Sequence, residues 1–228
     1  MFATDFDPRV LASQGIPPGI DQMEPGPVLA AFLSSIDVNT VSGYDRIFVL
    51  RAHQRMASHY AAQVYRDMAA VTESLREFED NPQFAAESAA AEIRTALCLT
   101  RRATDIELSF ALDLQERLPR VWEMLASGAI DERRAKVIDR GTCHLSTSAA
   151  RGVVARIAEA APHLTTGELA ARIAKLCIQA DPAEAKERYE HAVTDRKVIA
   201  EPTINGTANL TGYDLPPDQV TAITKART

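Results

Sequence analysis

The chain has 228 residues, a mass of 24.9 kDa, a formal charge of −6 and a pI near 5.4. Its 46% hydrophobic content is enough for a real core. Its acidity excludes a module that is basic over its whole surface, while leaving room for a local basic patch.

The acidic excess is confined to one half: residues 1–99 hold 7 Lys/Arg against 13 Asp/Glu, and the remainder holds 18 of each. Aromatic residues make up 6%, and Ala, Leu, Arg and Glu are abundant, a composition that suits helix packing better than a β-sandwich. The expected fold is mainly α, a multi-helix, bundle-like array closed by a C-terminal β-hairpin. Three regions are expected: a flexible leader over 1–26, a helical domain over 27–195, and a hairpin with the start of a further helix over 196–228.

Residues 1–26 hold Pro8, Pro17, Pro18 and Pro25 with Gly15, Gly19 and Gly26, a density that predicts a loose leader. A short helix is expected from Pro27 to Ile36, with Pro in its first turn. From about Ser42 a long helix is predicted by Tyr60, Val64, Met68, Val71 and Leu75, spaced as one helical stripe. Asn81-Pro82 interrupts it. Gln83 to Leu97 then carries Ala86, Ala89, Ala90, Ile93 and Leu97 along one side.

Thr100 reads as the N-cap of the next helix, with Ile106, Phe110, Leu114 and Leu118 at four-residue steps and Pro119 at a new start. From Leu118 to Leu145 the sequence predicts two amphipathic helices joined at Gly128. The single Trp, Trp122, is expected to pack at that corner. Helices over Ser146 to Ala160 and Thr165 to Ala180 follow. The second opens with a capping box from Thr165 to Glu168 and turns Leu169, Ile173, Leu176 and Ala180 inward. Asp181-Pro182 starts a last polar helix running to about Thr194. Asn205-Gly206, between Lys197 to Ile204 and Thr207 to Tyr213, predicts a hairpin whose two turn residues take positive φ. Leu215-Pro216-Pro217-Asp218 opens a helix still running at the chain end, which is read as leading toward a further module.

Cys98, Cys143 and Cys177 are odd in number and widely spaced, so they read as small buried residues of a reducing compartment. With no apolar run near 18 residues and no signal-like start, the expectation is a cytoplasmic protein without a membrane partner. His53, His59, His144, His163 and His191 are scattered, so no zinc set is expected. Neither GxGxxG nor GxxxxGK[ST] occurs, and no nucleophile motif stands out. No cofactor and no catalytic residue is assigned.

The strongest candidate surface is the second helix of the corner. If Ala135, Ile138, Thr142 and Leu145 turn inward, Arg133, Lys136 and Arg140 share the outer face of a helix-turn-helix-like unit and could grip duplex DNA. Asp131 and Glu132 at that helix's N-terminus oppose phosphate approach. Arg172 and Lys175 on a later helix could extend the surface. Solvent exposure alone explains the same charges. A different reading gives the chain no nucleic-acid role and makes the long N-terminal helix the seam of a homodimer.

The run EIRTALCLTRRATDIELSFALDLQERLPRVWEMLASGAIDERRAKVIDRGTCHL, from Glu92 to Leu145, is followed by HLTTGELAARIAKL, DPAEAKERYEHAVTDRKV and INGTANLTGYDLPPDQVTAI. Together these segments resemble the DUF222 domain of the actinobacterial 13E12 repeat family, from about Glu24 to the end. The resemblance implies a helical accessory domain that accompanies an HNH endonuclease module. The paired His and Asn residues of that module have no counterpart in these 228 residues. No catalytic or metal-binding residue is therefore carried over.

Overall fold

The computed structural model describes residues 16–78 and 81–225. These form ten α-helices and one two-stranded hairpin, so the mainly-α expectation is met. The chain divides into two compact units, one ending at Leu176 and the other beginning at Cys177. That division falls inside a helix, ahead of the change of character at Arg196.

In the first unit, α1 (Pro27–Ser35) and α2 (Asp45–Arg76) follow a 3₁₀ turn at Ile20–Gln22. Next come α3 (Pro82–Ala96), α4 (Arg101–Leu112) and a π-helical turn at Asp113–Arg117. Then come α5 (Pro119–Ala126), α6 (Glu132–Thr142), α7 (Thr147–Ile157) and α8 (Thr166–Ala180), the last of which runs into the second unit. Several helix starts carry the caps the sequence predicts. Thr100 Oγ1 accepts from Ala103 N (3.2 Å), and Ser146 Oγ accepts from Ala149 N (3.3 Å). Thr165 and Glu168 close the predicted box in both directions (2.9 and 3.3 Å).

α2 is the spine, 32 residues or about 48 Å long. It touches the 3₁₀ turn, α1, α3, α4 and α5. Because those partners lie on different sides, its buried face turns along its length. Val49, Ala52 and Met56 pack with Ile20, Leu29, Phe32 and Leu33, while Ala62, Tyr65 and Met68 are buried further along. The predicted helix is there, and its stripe is divided between core and surface: Met68 is buried, Val71 and Leu75 are half-buried, and Tyr60 and Val64 are 57% and 47% exposed.

The predicted leader falls largely outside the described residues. Residues 1–15 lie outside the described residues, but Ile20 is fully buried in that first core, which fixes the chain there despite its prolines. On α3 the inward residues are Ala85, Ala89 and Ile93, with Leu97 48% exposed. On α4 Phe110 is buried with Thr104, Leu108 and Ala111 while Ile106 is 48% exposed, and beyond the π turn, closed by Leu118 N donating to Asp113 O (2.7 Å), Leu114 and Leu118 are buried as predicted. α7 ends at Ile157, and a 3₁₀ turn at Ala161–His163 follows. Leu169, Ile173 and Leu176 of α8 are buried, but Ala180 is exposed. Cys177 is buried as predicted; Cys98 and Cys143 are exposed. Cys98 takes the left-handed position (φ 53°) just past α3 that glycine usually fills.

The second unit holds α9 (Pro182–Thr194), β1 (Lys197–Pro202), β2 (Ala208–Tyr213) and α10 (Pro217–Lys225). β1 and β2 pair antiparallel, Lys197 opposite Tyr213 and Pro202 opposite Ala208. That register leaves a three-residue loop, Ile204 to Gly206, with Thr203 N bonded to Thr207 O (2.8 Å) and Gly206 N to Thr203 O (3.1 Å). Gly206 alone has positive φ (76°), so the expected two-residue turn with Asn205 also left-handed gives way to a longer loop closed by one left-handed glycine.

Candidate functional site

The corner between α5 and α6 is built by a Schellman stop. Gly128 N donates to Leu125 O (3.0 Å) and Ala129 N to Met124 O (2.9 Å), with Gly128 at φ 68°. The corner is pressed onto α2. A Cβ on Gly128 would stand 2.7 Å from Arg55 Cβ and 2.9 Å from its Cα and O. Arg55 donates to Ser127 O (3.1 Å) and reaches back to Asp21 O and Met23 O (both 2.7 Å). His59 Nδ1 meets Ala126 O (2.7 Å), and Trp122 Nε1 donates to Ala62 O (3.0 Å). Trp122 is thus a packing residue at the corner, as predicted.

α6 buries Ala135, Ile138 and Thr142, with Leu145 beyond it, as its period requires. Asp131 caps the helix by accepting from Arg134 N (2.8 Å) and pairs with Arg134 Nη1 (2.5 Å). Carboxylates therefore occupy the end of α6 that a DNA-reading helix would offer to phosphates.

Lys136, placed by sequence among three outward cations, is committed inside the molecule. Its Nζ lies 2.8 Å from Glu107 Oε1 on α4 and 2.7 Å from Glu132 Oε1, and its side chain is 21% exposed. Tyr65 of α2 completes the cluster, its hydroxyl proton shared between Glu107 Oε2 (2.7 Å) and Glu132 Oε1 (2.8 Å). Phe110 stacks edge-on to Tyr65 with centroids 4.9 Å apart, and Lys136 Nζ lies 5.6 Å from the Phe110 ring centre.

Burial alone would lower the Lys136 ammonium's pKa, but the hydrogen bonds to Glu107 and Glu132 win and hold it above its ordinary value. Burial likewise works to raise Glu132, and hydrogen bonds from Lys136 and Tyr65 outweigh it, leaving that carboxyl below its usual range. Burial and the two facing carboxylates push the Tyr65 phenol upward. This cluster joins α2, α4 and α6.

A second polar group follows the π turn. Arg117 Nη1 and Asp139 Oδ1, 3.7 Å apart, are both buried and make no hydrogen bond, while Arg117 Nη2 bonds Thr142 O. Burial pushes the Asp139 carboxyl up to about 6; the Asp113 carboxylate adds to the rise, and Arg117 and Arg140 oppose it. Asp139 opens onto a cleft of about 490 Å³ between α4 and α6, lined by Arg102, Asp105, Ser109, Phe110, Lys136 and Arg140 among others.

Arg133 and Arg140 are exposed and form no ion pair with the described residues, and the same holds for Arg172 and Lys175 on α8. α6 and α8 approach closely: a Cβ on Gly141 would stand 2.7 Å from Ile173 Cγ2. Of the five predicted residues, only Lys136 and Arg140 line the cleft. The sequence reading missed Arg102, Asp105, Ser109 and Asp139. Arg102, Asp105 and Ser109 stand at i, i+3 and i+7, which is one face of α4, so the helical period alone could have grouped them.

Among the described residues, no group of three or more His, Cys, Asp or Glu is arranged to hold a metal ion, and no helix is long and apolar enough to cross a membrane. A family model described as a domain of unknown function, DUF222, matches residues 50–226. No curated protein and no solved structure matches.

Proposed function

Because the chain belongs to the DUF222 family, we propose that it is a non-catalytic helical accessory domain that grips duplex DNA by its phosphates and positions it for an HNH-type nuclease module, in the 13E12-like, actinobacterial and cytoplasmic setting that the resemblance implies. One observation carries the reading. Arg133 and Arg140 are exposed, without an ion pair among the described residues, and seven residues apart on α6. Two helical turns separate them by about 10.5 Å on one face. Arg102 across the cleft and Arg172 and Lys175 on α8 are further exposed cations that can reach a polyanion.

Lys136 drops out of the contacting set, since its charge is spent on two carboxylates. Asp131 and Glu132 discourage insertion of the α6 N-terminus into a groove, which favours sequence-tolerant phosphate contacts over base reading.

The test is binding of duplex DNA across a salt series. Affinity is expected to fall steeply with salt, and the double variant Arg133→Ala/Arg140→Ala to flatten the slope of log K against log salt by about 2. Sequence changes in the duplex should matter little, and the chain alone should leave the DNA uncut. Absence of binding at low salt refutes the reading.

A further inference from the structure

α2 offers solvent an apolar stripe with the period of a coiled coil. Leu50, Ala57, Val64 and Val71 follow at seven-residue intervals, with His53 and Tyr60 between them. Leu50 is 64% exposed, Tyr60 57% and Val64 47%; Ala57 is exposed and Val71 half-buried. The inward face of the same helix uses other residues, Val49, Ala52, Ala62 and Tyr65 among them. The flanking positions, Gln54, Ala61, Gln63 and Ala70, are all uncharged. The N-terminal half is otherwise acidic. On this stripe between residues 50 and 71 the one charge is Asp67, which pairs with its own neighbour Arg66 at 3.4 Å.

We propose that this stripe is a self-association surface, on which α2 packs antiparallel against α2 of a second copy about a two-fold axis between Tyr60 and Val64. Three features select that occupant. A seven-residue repeat is matched by a helix carrying the same repeat, which each copy supplies to the other in a self-complementary contact. The near-absence of charge gives a strongly acidic or basic partner nothing to hold. Parallel pairing would set Asp67 against its twin, whereas the antiparallel arrangement puts Asp67 opposite Ala57 of the second copy and lays Tyr60 over Val64. The stripe engages fewer residues than the roughly 20 a side of a standard interface, so the dimer is weak, with a dissociation constant on the order of micromolar. The inference is independent of the DNA reading, since the cations invoked there lie on other helices.

Sedimentation equilibrium of the full chain tests it. A monomer–dimer equilibrium is expected at micromolar protein. Val64→Glu, which would bury a carboxylate at the seam, should weaken it at least about 100-fold while leaving the thermal midpoint nearly unchanged, because Val64 is half-exposed in the monomer. Leu210→Glu on the exposed hairpin should leave dimerisation intact.

In a background with Cys98→Ser and Cys143→Ser, Gln63→Cys beside the axis should cross-link to itself on oxidation. Leu50→Cys should not, because its twin would lie about 36 Å away. A monomer at every concentration overturns the proposal, including the case in which another segment of the same chain covers the stripe. So does a dimer indifferent to Val64→Glu, or one in which Leu50→Cys cross-links as readily as Gln63→Cys.

Discussion

Two glycines with similar backbone angles bear very different constraints. Gly128 (φ 68°) and Gly206 (φ 76°) both sit where an L side chain is strained, but around Gly206 a Cβ would meet nothing within 4 Å, while at Gly128 it would strike the backbone of Arg55. Gly206→Ala should cost about 1 kcal/mol from strain alone. Gly128→Ala should cost roughly 3 kcal/mol or more, because α2 cannot recede without opening the core beneath it. Urea unfolding of the two variants measures the difference, and equal costs would mean that the corner does not bear on α2.

Asp139 supplies the pH dependence that belongs to a single residue. Its carboxyl, raised to about 6 from 3.8, holds its proton more tightly in the folded chain than in the unfolded one. Its contribution therefore makes the fold more stable as pH falls from about 6 to about 4, and that gain, at most about 3 kcal/mol, is lost as pH rises through 6. Glu132 acts in the other sense: its depressed carboxyl stabilises the fold above the ordinary glutamate range, and that stability is lost on acidification. Asp139→Asn should remove the part of the stability profile that declines between about pH 4 and 6 and leave the acid limb in place. An unchanged profile between those values would show that Asp139 titrates normally.

At the scale of elements, α4 and α6 are held together by the cluster of Tyr65, Glu107, Glu132 and Lys136. Removing the ammonium while keeping both carboxylates leaves like charges facing one another in a half-buried site. Lys136→Ala should therefore destabilise by about 3 kcal/mol, against about 1 kcal/mol for Tyr65→Phe, as read by chemical denaturation. Loss of stability with an unaltered salt slope for DNA would separate this structural lysine from Arg133 and Arg140.

The capping signals here were plain in the sequence because they are local: Thr100, Ser146, Thr165 and Asp181 each accept from a backbone amide three residues on. The fate of Lys136 was not legible. Its i, i+4 partner Glu132 is visible in the sequence, but Glu107 and Tyr65 come to it from 29 and 71 residues upstream, on helices whose facing no local pattern determines. The same limit holds for the stripe on α2, where period identified the helix but not the side on which its neighbours gathered.

Across the whole chain, burial is distributed unequally. Among the described residues, the largest fully buried side chains all lie in the unit that ends at Leu176, whereas the other unit buries Cys177 and Pro216, α9 and α10 bury no residue and β2 is exposed throughout. An unsupported two-stranded hairpin is marginal in water. Amides of residues 197–213 should therefore exchange with solvent orders of magnitude faster than those of α2 near Ala62 and Tyr65. Hydrogen exchange with mass spectrometry checks this, and comparable protection would point to a partner surface on the hairpin.

The mainly-α architecture was readable at this scale because composition and helical period agree along the whole chain. The cleft between α4 and α6 was not, since it depends on how two helices cross.

The turn at Asp113–Arg117 has a consequence for the phase of everything that follows it as well as for packing. A π turn holds one residue more than the α-helical turn it replaces, so it takes up an extra residue within a single turn. Taking one residue out of it, for example by deleting Gln115, would let an ordinary α-helical turn cover nearly the same angle, so the chain should still reach Leu118 in phase. A deletion in the plain α-helical part of α4 has no such slack, and Leu118 and the corner at Gly128 would arrive turned by about 100°, so this one turn is where the chain can lose a residue and keep its arrangement.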